Sequence, residues 1–291
     1  MPIKPGVVEA MFTGAEAVRI SAAELIGAYD GFLLDAYGVL VDKTGALPGA
    51  AGFLERLVDA GKPYLVLTNS ASRLPETLAR EFSAAGFEIP AARILTSGLL
   101  LEDCFRERRL EGAGCLVLGP ADSARYVRRA GGRVVSAGAD AEVVVIADQQ
   151  GFPCLELMDH ALSLILRRLD AGRPTHLLLC NPDLIYPVAP GRYGFTAGGL
   201  AAMLEAVMRE RYPGMSEPIV ALGKPHRPMF DAARRRLSGG RLVMIGDQLA
   251  TDILGAKRNK IDSALVGTGL AQCAPPGSGD LRPTWYLASL A

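Results

Sequence analysis

Four groups of polar side chains in this sequence are of the types that handle phosphate together with a hard cation. They comprise an acid, a hydroxyl–amide triplet, a lysine and a pair of acids: Asp35; Thr68-Asn69-Ser70; Lys224; Asp247 and Asp252. Carboxylate oxygens are good ligands for Mg²⁺, lysine neutralises phosphate charge, and small polar groups donate to phosphate oxygens. Each group follows a short apolar segment, so its place in the fold is open to prediction.

Each group also has a simple structural explanation when it is taken alone. Asp35 could cap a helix or form a turn. The triplet that begins at Thr68 is predicted to open a helix, where an ordinary N-cap and an anion cradle use the same groups. Asp247 and Asp252 could cap the helix that follows them, and Lys224 could be a solvated surface residue.

The apolar segments predict short β-strands, and amphipathic segments between them predict helices. The candidate strands are Phe32–Leu34, Tyr64–Leu67, Cys115–Leu118, Val143–Ile146, His176–Cys180 and Leu242–Ile245. The candidate helices are Ala50–Ala60, Pro75–Ala85, Leu155–Asp170, Leu200–Arg211 and Pro228–Leu237, with an earlier one marked by a capping-box pattern at Ser21 and Glu24. Several strands are apolar throughout, which indicates parallel strands covered on both faces. The alternation predicts a doubly wound α/β fold.

In open α/β sheets, ligands bind beyond the carboxyl ends of the strands. All four polar groups fall at such predicted ends, so we expect them to share one site. A lysine and a cation that neutralise charge, with positioned donors for phosphate oxygens, are what phosphoryl transfer requires.

The order and spacing of these groups resemble the four motifs of the haloacid dehalogenase (HAD) superfamily. The wider match resembles its class IIA branch, the NagD-like and p-nitrophenylphosphatase-like proteins, through these stretches: Thr68-Asn69-Ser70, Ile94-Leu95-Thr96-Ser97-Gly98, Asn181-Pro182-Asp183, Gly223-Lys224-Pro225 and GDQLATDI. The resemblance covers nearly the whole chain from Asp30 to Gly269. It implies a Rossmann-like core with a doubly wound parallel sheet and an inserted α/β cap domain of the C2 type.

The resemblance also implies roles for the polar groups. Asp35 would attack phosphorus and form an aspartyl-phosphate, and Lys224 would bridge this nucleophile and the phosphate. The Thr68-Asn69-Ser70 triplet would hold the transferring phosphate. Covalent attack by a carboxylate divides one difficult displacement into two easier ones.

A Mg²⁺ cofactor is part of the same implication. The carboxylates of Asp35 and Asp247 and the backbone carbonyl of Tyr37 would bind the ion directly. Asp252 would orient the groups around the ion.

Tyr37 departs from the family pattern, which has Asp-x-Asp-Gly at this place. The second Asp protonates the leaving group and later activates water, whereas a phenol with a pKa near 10 is a poor general base at neutral pH. Loss of a positioned acid or base costs about 10²–10⁴-fold in rate. Asp42, Asp148 or Asp183 could substitute, and good leaving groups such as aryl or acyl phosphates would need no acid.

The resemblance places the cap domain at residues 101–216 and the core domain at residues 1–100 and 217–291. By the same resemblance, the loop from Asn181 to Pro187 would face the core site. Asp183 and Tyr186 then become candidate substrate-binding residues, with a packed loop aromatic as the alternative for Tyr186. Family members often dimerise through the cap, so a homodimer is a further expectation.

Other residues favour simpler interpretations. The scattered cysteines (Cys104, Cys115, Cys154, Cys180 and Cys273) lack the spacing of a zinc site and indicate reduced thiols in a cytoplasmic protein. His160 is interpreted as structural, and His226 as a neighbour of the site or a surface residue. The stretch Gln272–Asp280 is a turn or loop by composition.

Lys plus Arg and Asp plus Glu each number 31, so no net charge favours nucleic acid or a membrane surface as partner. The N-terminal residues lack an apolar h-region, so no signal peptide is predicted, and no apolar run has the length of a transmembrane helix.

Two functional hypotheses follow. The first is a Mg²⁺-dependent phosphohydrolase of a small phosphorylated metabolite, such as a sugar phosphate or nucleotide, attenuated by Tyr37. The second is a catalytically impaired protein that binds a phosphorylated ligand in a sensing or regulatory role. A dehalogenase is a weaker third interpretation, because that branch generally needs no Mg²⁺ site.

Overall fold

The structure, a computed structural model, describes residues 18–189, 192–214, 219–237, 239–268 and 281–291. The predicted loop at Gln272–Asp280, Cys273 and most of the N-terminal segment lie outside the described residues. The chain divides into two compact units. The core unit comprises Met1–Thr68, Pro75–Leu95 and Lys224–Ala291, and the cap unit comprises Asn69–Leu74 and Thr96–Gly223.

The secondary structure alternates between strands and helices along most of the described chain. The strands are β1 Gly31–Asp35, β2 Val41–Asp42, β3 Gly45–Ala46, β4 Tyr64–Thr68, β5 Ile94–Thr96, β6 Gly114–Leu118, β7 Arg133–Val134, β8 Val143–Ile146, β9 His176–Leu179, β10 Ile185–Ala189, β11 Arg192–Phe195, β12 Val220–Ala221, β13 Leu242–Gly246, β14 Asp262–Val266 and β15 Trp285–Leu287. The α-helices are α1 Ala22–Ala28, α2 Ala50–Asp59, α3 Pro75–Ala84, α4 Leu100–Arg108, α5 Ala121–Arg129, α6 Cys154–Asp170, α7 Ala197–Arg211, α8 Arg227–Leu237 and α9 Leu254–Arg258.

A six-stranded sheet in the order β15-β14-β13-β1-β4-β5 forms the centre of the core unit. Strand β1 pairs in parallel with β13 on one side and with β4 on the other, and Asp35 is in register with Leu67. Every residue of β1, β4 and β13 is buried. The predicted parallel, doubly covered strands are therefore confirmed, and their carboxyl ends lie together at one edge of this sheet.

The cap unit has its own five-stranded sheet, in the order β12-β9-β8-β6-β7, with parallel pairing. Helices α6 and α7 contribute Met158, Leu164 and Leu204 to its apolar core. An antiparallel hairpin, β10–β11, pairs Ile185 with Phe195. The fold is therefore a Rossmann-like parallel-sheet core with an inserted α/β cap, as the sequence predicts.

Two local features predicted from the sequence, the capping box and the glycine caps of helices, are present in the structure. Ser21 and Glu24 form a reciprocal capping box at the start of α1. Gly61, Gly86 and Gly172 adopt positive φ angles just beyond α2, α3 and α6, as C-terminal caps of helices require.

The predicted helix start at the Thr68-Asn69-Ser70 triplet is wrong. Strand β4 ends at Thr68, residues 69–74 are non-helical, and α3 begins only at Pro75. Asn69 therefore begins a six-residue turn, whose backbone groups bond to side chains elsewhere in the cap unit instead of to a helix.

Among the helices that the structure describes, none has the length and apolar character of a membrane span. Cys104, Cys115, Cys154 and Cys180 are free thiols, the first two and the last of them buried.

Candidate active site

Asp35 is the last residue of β1, the strand that lies between β13 and β4 in the core sheet. Four buried apolar or small residues precede it, so the sheet fixes its backbone rigidly while its side chain projects at the carboxyl edge. The side chain is buried, and it takes part in an ion pair with Lys224.

Lys224 forms two buried ion pairs. Its Nζ donates to Oδ1 of Asp35 at 2.5 Å and to Oδ1 of Asp252 at 2.7 Å. Only 3% of Lys224 is exposed. Burial alone would lower the pKa of Lys224, but the two carboxylates outweigh this effect and raise the pKa well above its ordinary value. The ammonium is therefore charged at neutral pH and provides a fixed positive charge beside Asp35.

Asp252 lies in a π-helical turn, Leu249–Ile253, between β13 and α9. Its Oδ2 accepts a hydrogen bond from the Gln248 N–H at 3.2 Å. A Cβ atom at Gly246 would lie 2.2 Å from the Asp252 Cβ, so only glycine at 246 allows this approach. Burial raises the pKa of Asp252 to about 6 in spite of the lowering effect of Lys224.

Asp247 completes a cluster of buried acids. Ligand atoms of Asp35, Asp247 and Asp252 all lie within 4.8 Å of one another. Gly38 has a φ of +85°, and a Cβ there would lie 2.3 Å from Oδ2 of Asp247, so the turn after β1 packs directly against this carboxylate. Converging carboxylates with a nearby backbone turn are the oxygen-rich donor set that suits Mg²⁺. The residues present therefore fit the predicted ion.

Tyr37 lies in the same turn, two residues after Asp35. Its backbone forms a bridge with Val41, and the Gly38 N–H donates to the Val41 carbonyl at 2.8 Å. The side chain is 51% exposed, unlike the buried acids around it. The turn is thus ordered by backbone bonds, while the phenol has much of its surface in solvent.

The predicted phosphate-binding triplet crosses a boundary between the compact units. Thr68 is the last residue of β4 in the core unit, whereas Asn69 and Ser70 belong to the cap unit. Asn69 is buried, and its Nδ2 donates to Oδ1 of Asp183 at 3.0 Å. The structure therefore brings together two residues that the sequence analysis assigned to phosphate and substrate separately.

Tyr186 lies on β10, and its hydroxyl accepts a hydrogen bond from Nε2 of Gln150 at 3.3 Å. Asp148 is buried after β8, and its Oδ1 accepts from the Gln150 N–H at 2.9 Å. Asp148 follows β8 at the carboxyl edge of the cap sheet, whereas Tyr186 lies on the separate β10–β11 hairpin. The Tyr186 hydroxyl and the Asp148 carboxylate thus both bond Gln150, the first through its side chain and the second through its backbone N–H.

The remaining candidates are held locally. Asp42 lies on the β2–β3 hairpin, where the hydroxyl and N–H of Thr44 donate to its Oδ1 and lower its pKa. A carboxyl with a lowered pKa is ionised at neutral pH, which disfavours Asp42 as a substitute general acid. His226 is partly buried, and burial with the positive charge of Arg258 lowers its pKa. His160 lies partly exposed on α6, outside the acid cluster.

Two residues near the site were missed by sequence reasoning. Thr268 follows β14, and its hydroxyl donates to the Gly38 carbonyl at 2.8 Å. Ser97 is fully buried, and its Oγ lies 2.9 Å from the Asn69 carbonyl oxygen. Thr268 could have been found as a small polar residue after an apolar strand. Ser97 lies in the Thr96-Ser97-Gly98 stretch, to which the sequence analysis gave no chemical role.

A doubly wound core with a buried lysine–carboxylate cluster at the carboxyl edge of its sheet is typical of α/β enzymes whose ligands bind at that edge. Residues 32–133 match the sequence family described as haloacid dehalogenase-like hydrolase, and residues 221–291 match the HAD-hydrolase-like family.

Similar proteins cover almost the whole chain. Human chronophin is 31% identical over 287 residues, covering 92% of this chain and 93% of chronophin. Ribonucleotide monophosphatase NagD of Escherichia coli K12 is 28% identical over 262 residues, covering 89% of this chain and 96% of NagD. A solved structure from Cytophaga hutchinsonii, described as a possible sugar phosphatase of the HAD superfamily, matches with a TM-score of 0.79 at 28% identity, covering 94% of this chain and 99% of that chain.

The protein belongs to the haloacid dehalogenase-like hydrolases, in the class IIA branch that contains the NagD-like phosphatases. It is therefore a hydrolase of the phosphatase type.

Proposed function

We propose that this protein is a Mg²⁺-dependent phosphohydrolase of small phosphorylated metabolites that works through an aspartyl-phosphate on Asp35. The observation that carries the proposal is the position of Lys224, whose buried ammonium lies within hydrogen-bond distance of Asp35 and Asp252. A fixed cation beside a strand-end carboxylate suits attack on a dianionic phosphate, because it offsets the repulsion between the two anions.

In the first step, an oxygen of Asp35 attacks phosphorus and the bond from phosphorus to the ester oxygen breaks. The leaving group departs with that electron pair and takes up a proton from solvent or from an acid. In the second step, water attacks phosphorus, loses a proton, and releases inorganic phosphate from Asp35. Lys224 stays protonated through both steps, as its raised pKa requires.

Asp35, Asp247 and the backbone carbonyl of Tyr37 would hold Mg²⁺, and Asp252 would orient the surrounding groups through Lys224 and the Gln248 N–H. A bound Mg²⁺ supplies charge neutralisation for the transferring phosphate. The support for this assignment is the convergence of three carboxylates within 4.8 Å.

The proposal gives Thr68, Asn69 and Ser70 the role of phosphate donors, by their match to the family motif. Residues 101–216 are assigned to the cap domain, which selects the substrate. Asp183 and Tyr186 are the candidate specificity residues there. Their support is local: Asp183 bonds Asn69, and Tyr186 bonds Gln150.

The substrate class in the proposal is a phosphate monoester on a small polar metabolite. NagD is named for ribonucleotide monophosphates, and the Cytophaga structure is described as a possible sugar phosphatase. Both names support a nucleotide or sugar phosphate for this chain. A panel drawn from these two classes is therefore the first substrate set to test.

Tyr37 makes slow turnover of ordinary esters part of the proposal. A half-exposed phenol replaces the carboxyl that donates a proton to the leaving group. Substrates whose leaving groups have low pKa values, such as aryl or acyl phosphates, need no such proton. We therefore expect the rate to fall steeply as the pKa of the leaving group rises.

A second candidate function rests on the same exposed phenol. If turnover is negligible, the charged Lys224 and the acid cluster would still bind Mg²⁺ and a phosphorylated ligand. The protein would then act as a sensor or regulatory partner.

The test is phosphate release from nucleotide, sugar and p-nitrophenyl phosphates, with Mg²⁺ and with EDTA. Wild type is compared with Asp35→Asn and with Asp42→Asn, a control acid on the same unit. We expect Mg²⁺-dependent turnover that disappears only in Asp35→Asn. An equal rate in Asp35→Asn would refute the aspartyl-phosphate mechanism. A wild type that binds Mg²⁺ and phosphate without turnover would favour the sensor.

The proposal also includes a cytoplasmic location and a homodimer. Free thiols at Cys104, Cys115, Cys154 and Cys180 support a reducing compartment. Exposed apolar side chains on the cap unit, among them Phe195 and Met203, support self-association through that unit. Light scattering of wild type and Phe195→Asp would measure the oligomeric state.

A further inference from the structure

The six-residue turn Asn69–Leu74 directly follows core strand β4 but belongs to the cap unit. It is called the phosphate turn below. We propose that Ser97, Ser123 and Tyr126 are positioning residues that hold this turn so that Asn69 and Ser70 can bind phosphate. The inference rests on the proposed function, in which those two residues are phosphate donors. None of the three hydroxyls has a role in the family motif described above.

Ser97 holds the first half of the phosphate turn. Its Oγ lies 2.9 Å from the carbonyl oxygen of Asn69 and 3.1 Å from that of Ser70. The Gly98 N–H also donates to the Ser70 carbonyl, at 3.4 Å. Ser97 is fully buried, so its hydroxyl has no bulk solvent as an alternative partner. The backbone carbonyls of Asn69 and Ser70 are thus held by two consecutive residues, Ser97 and Gly98.

Helix α5 holds the second half of the turn. The Ser123 hydroxyl donates to the Ala71 carbonyl at 2.7 Å, and the Tyr126 hydroxyl donates to the Arg73 carbonyl at 2.7 Å. Since the single Tyr126 proton goes to Arg73, the Thr96 hydroxyl at 2.7 Å must be the donor to Tyr126. Thr96, Tyr126 and the turn therefore form one directed chain of hydrogen bonds.

The end of the turn is held by a third residue of α5. Oδ2 of Asp122 accepts a hydrogen bond from the Leu74 N–H at 3.0 Å, just before α3 begins. One helix thus contributes an acid, a hydroxyl and a phenol to the backbone of the same six residues. A surface connection of this length needs no such anchoring to join a strand to a helix.

Two glycines show that this packing is closely fitted. A Cβ at Gly98 would lie 2.5 Å from the Tyr126 ring, and a Cβ at Gly119 would lie 2.5 Å from the Ser123 Oγ. Any larger side chain at either position would push the ring or the hydroxyl away from the turn. Both hydroxyl-bearing residues are buried, with Tyr126 only 1% exposed.

The functional consequence follows from geometry. Donors on a turn bind phosphate well only if their positions are fixed before the ligand arrives, because a displacement of about 1 Å can cost about 10²-fold in rate. The Asn69 side chain is already directed by Asp183. The hydroxyls of Ser97, Ser123 and Tyr126 fix the backbone from which it projects.

The test compares Tyr126→Phe and Ser97→Ala with Tyr29→Phe as a matched control. Tyr29 is equally buried and bonds Asp262 and Trp285, but it precedes β1, at the opposite end of that strand from Asp35. Isothermal titration calorimetry measures the affinity for inorganic phosphate in saturating Mg²⁺, and thermal denaturation measures stability. We expect phosphate affinity to fall by about 3- to 10-fold in Tyr126→Phe and Ser97→Ala, the effect of one lost hydrogen bond, and to stay unchanged in Tyr29→Phe.

Steady-state kinetics with p-nitrophenyl phosphate gives a second readout, in which KM should rise with the dissociation constant for phosphate. The inference would be overturned if Tyr126→Phe and Ser97→Ala lost stability as Tyr29→Phe does but bound phosphate as tightly as wild type. If Tyr126→Phe does not fold, Ser123→Ala provides the same comparison through the smaller deletion. A wild type that binds no phosphate would defeat the proposed function itself, and the inference with it.

Discussion

The ammonium of Lys224 lies 2.5 Å from the carboxylate of Asp35, although 189 residues separate the two in the chain. Both side chains are buried, so the pair is shielded from the solvent that weakens ion pairs at the surface. The protein as a whole has a formal net charge of zero. The proposed affinity for phosphate would therefore come from this local arrangement and not from a general field.

Lys224→Met should strongly reduce activity and destabilise the protein. Removal of the cation leaves Asp35 and Asp252 buried without it, and breaking a buried pair from one side costs about 3–5 kcal/mol. Loss of a charged group at the phosphate should reduce kcat by about 10²–10³-fold. Thermal denaturation and p-nitrophenyl phosphate kinetics would measure both effects.

Lys62→Met is the control for that substitution, because Lys62 lies on the same unit and donates to the backbone carbonyl of Tyr29 at 2.8 Å instead of to a carboxylate. We expect it to be nearly neutral. The instability of Lys224→Met should lessen as pH falls, because without the lowering effect of Lys224 the pKa of Asp252 rises above its wild-type value, and its uncompensated charge disappears when it takes up a proton. Full activity in Lys224→Met would contradict the proposed role.

The sequence predicted the core of the site because that part depends on local pattern. Strands β1, β4 and β13 are buried on both faces, so their sequences are almost continuously apolar. The residues that follow them lie at the carboxyl edge of the sheet. The common edge of Asp35 and Asp247 could therefore be predicted from the sequence. The position of Thr68 at the end of β4 followed from the same pattern.

The rest depends on contacts between distant residues. No local signal shows that Lys224 pairs with Asp252 as well as with Asp35, or that Tyr126 bonds a turn 53 residues earlier. Helix α5 was missed because its sequence, ADSARYVRR, has few apolar residues. The start of a helix at the Thr68-Asn69-Ser70 triplet was predicted wrongly, because side-chain hydroxyls can satisfy the same backbone groups as a helix.

Asp247→Asn should weaken Mg²⁺ binding. A bound ion stabilises the folded state by about 2.7 kcal/mol when its concentration is about 100 times its Kd. Wild type should therefore show a higher Tm with Mg²⁺ than with EDTA, and this difference should shrink in Asp247→Asn. Asp42→Asn is the matched control, because its carboxylate bonds Thr44 on the hairpin. An equal Mg²⁺ effect in all three proteins would show that the acid cluster is not the metal site.

Tyr37→Asp should increase turnover of alkyl phosphates by about 10²–10⁴-fold, because it places a carboxyl where the leaving group needs a proton. The gain should be small for p-nitrophenyl phosphate, whose leaving group needs little assistance. A plot of log kcat against leaving-group pKa should be steep for wild type and flatter for the variant. Tyr37→Phe, which removes only the hydroxyl, should match wild type. A flat plot for wild type would mean that another acid acts in place of Tyr37.

His226 should make stability depend on pH in a defined direction. Burial, with a smaller contribution from the charge of Arg258, lowers the pKa of His226 below its ordinary value of 6.5. Below that value the unfolded chain binds a proton that the folded protein resists, so the unfolded state is favoured as pH falls. The stabilisation is complete above about pH 6.5 and is lost as pH decreases towards the folded-state pKa.

His226→Gln removes this titration while keeping a polar side chain of similar size. The decrease in Tm between about pH 7.5 and about pH 5.5 should therefore be smaller in His226→Gln than in wild type. His160→Gln is the control, because His160 lies partly exposed on α6 of the cap unit. Its pH dependence should match that of wild type. If His226→Gln and wild type lose Tm equally over this range, the imidazole of His226 is solvated and the burial argument fails.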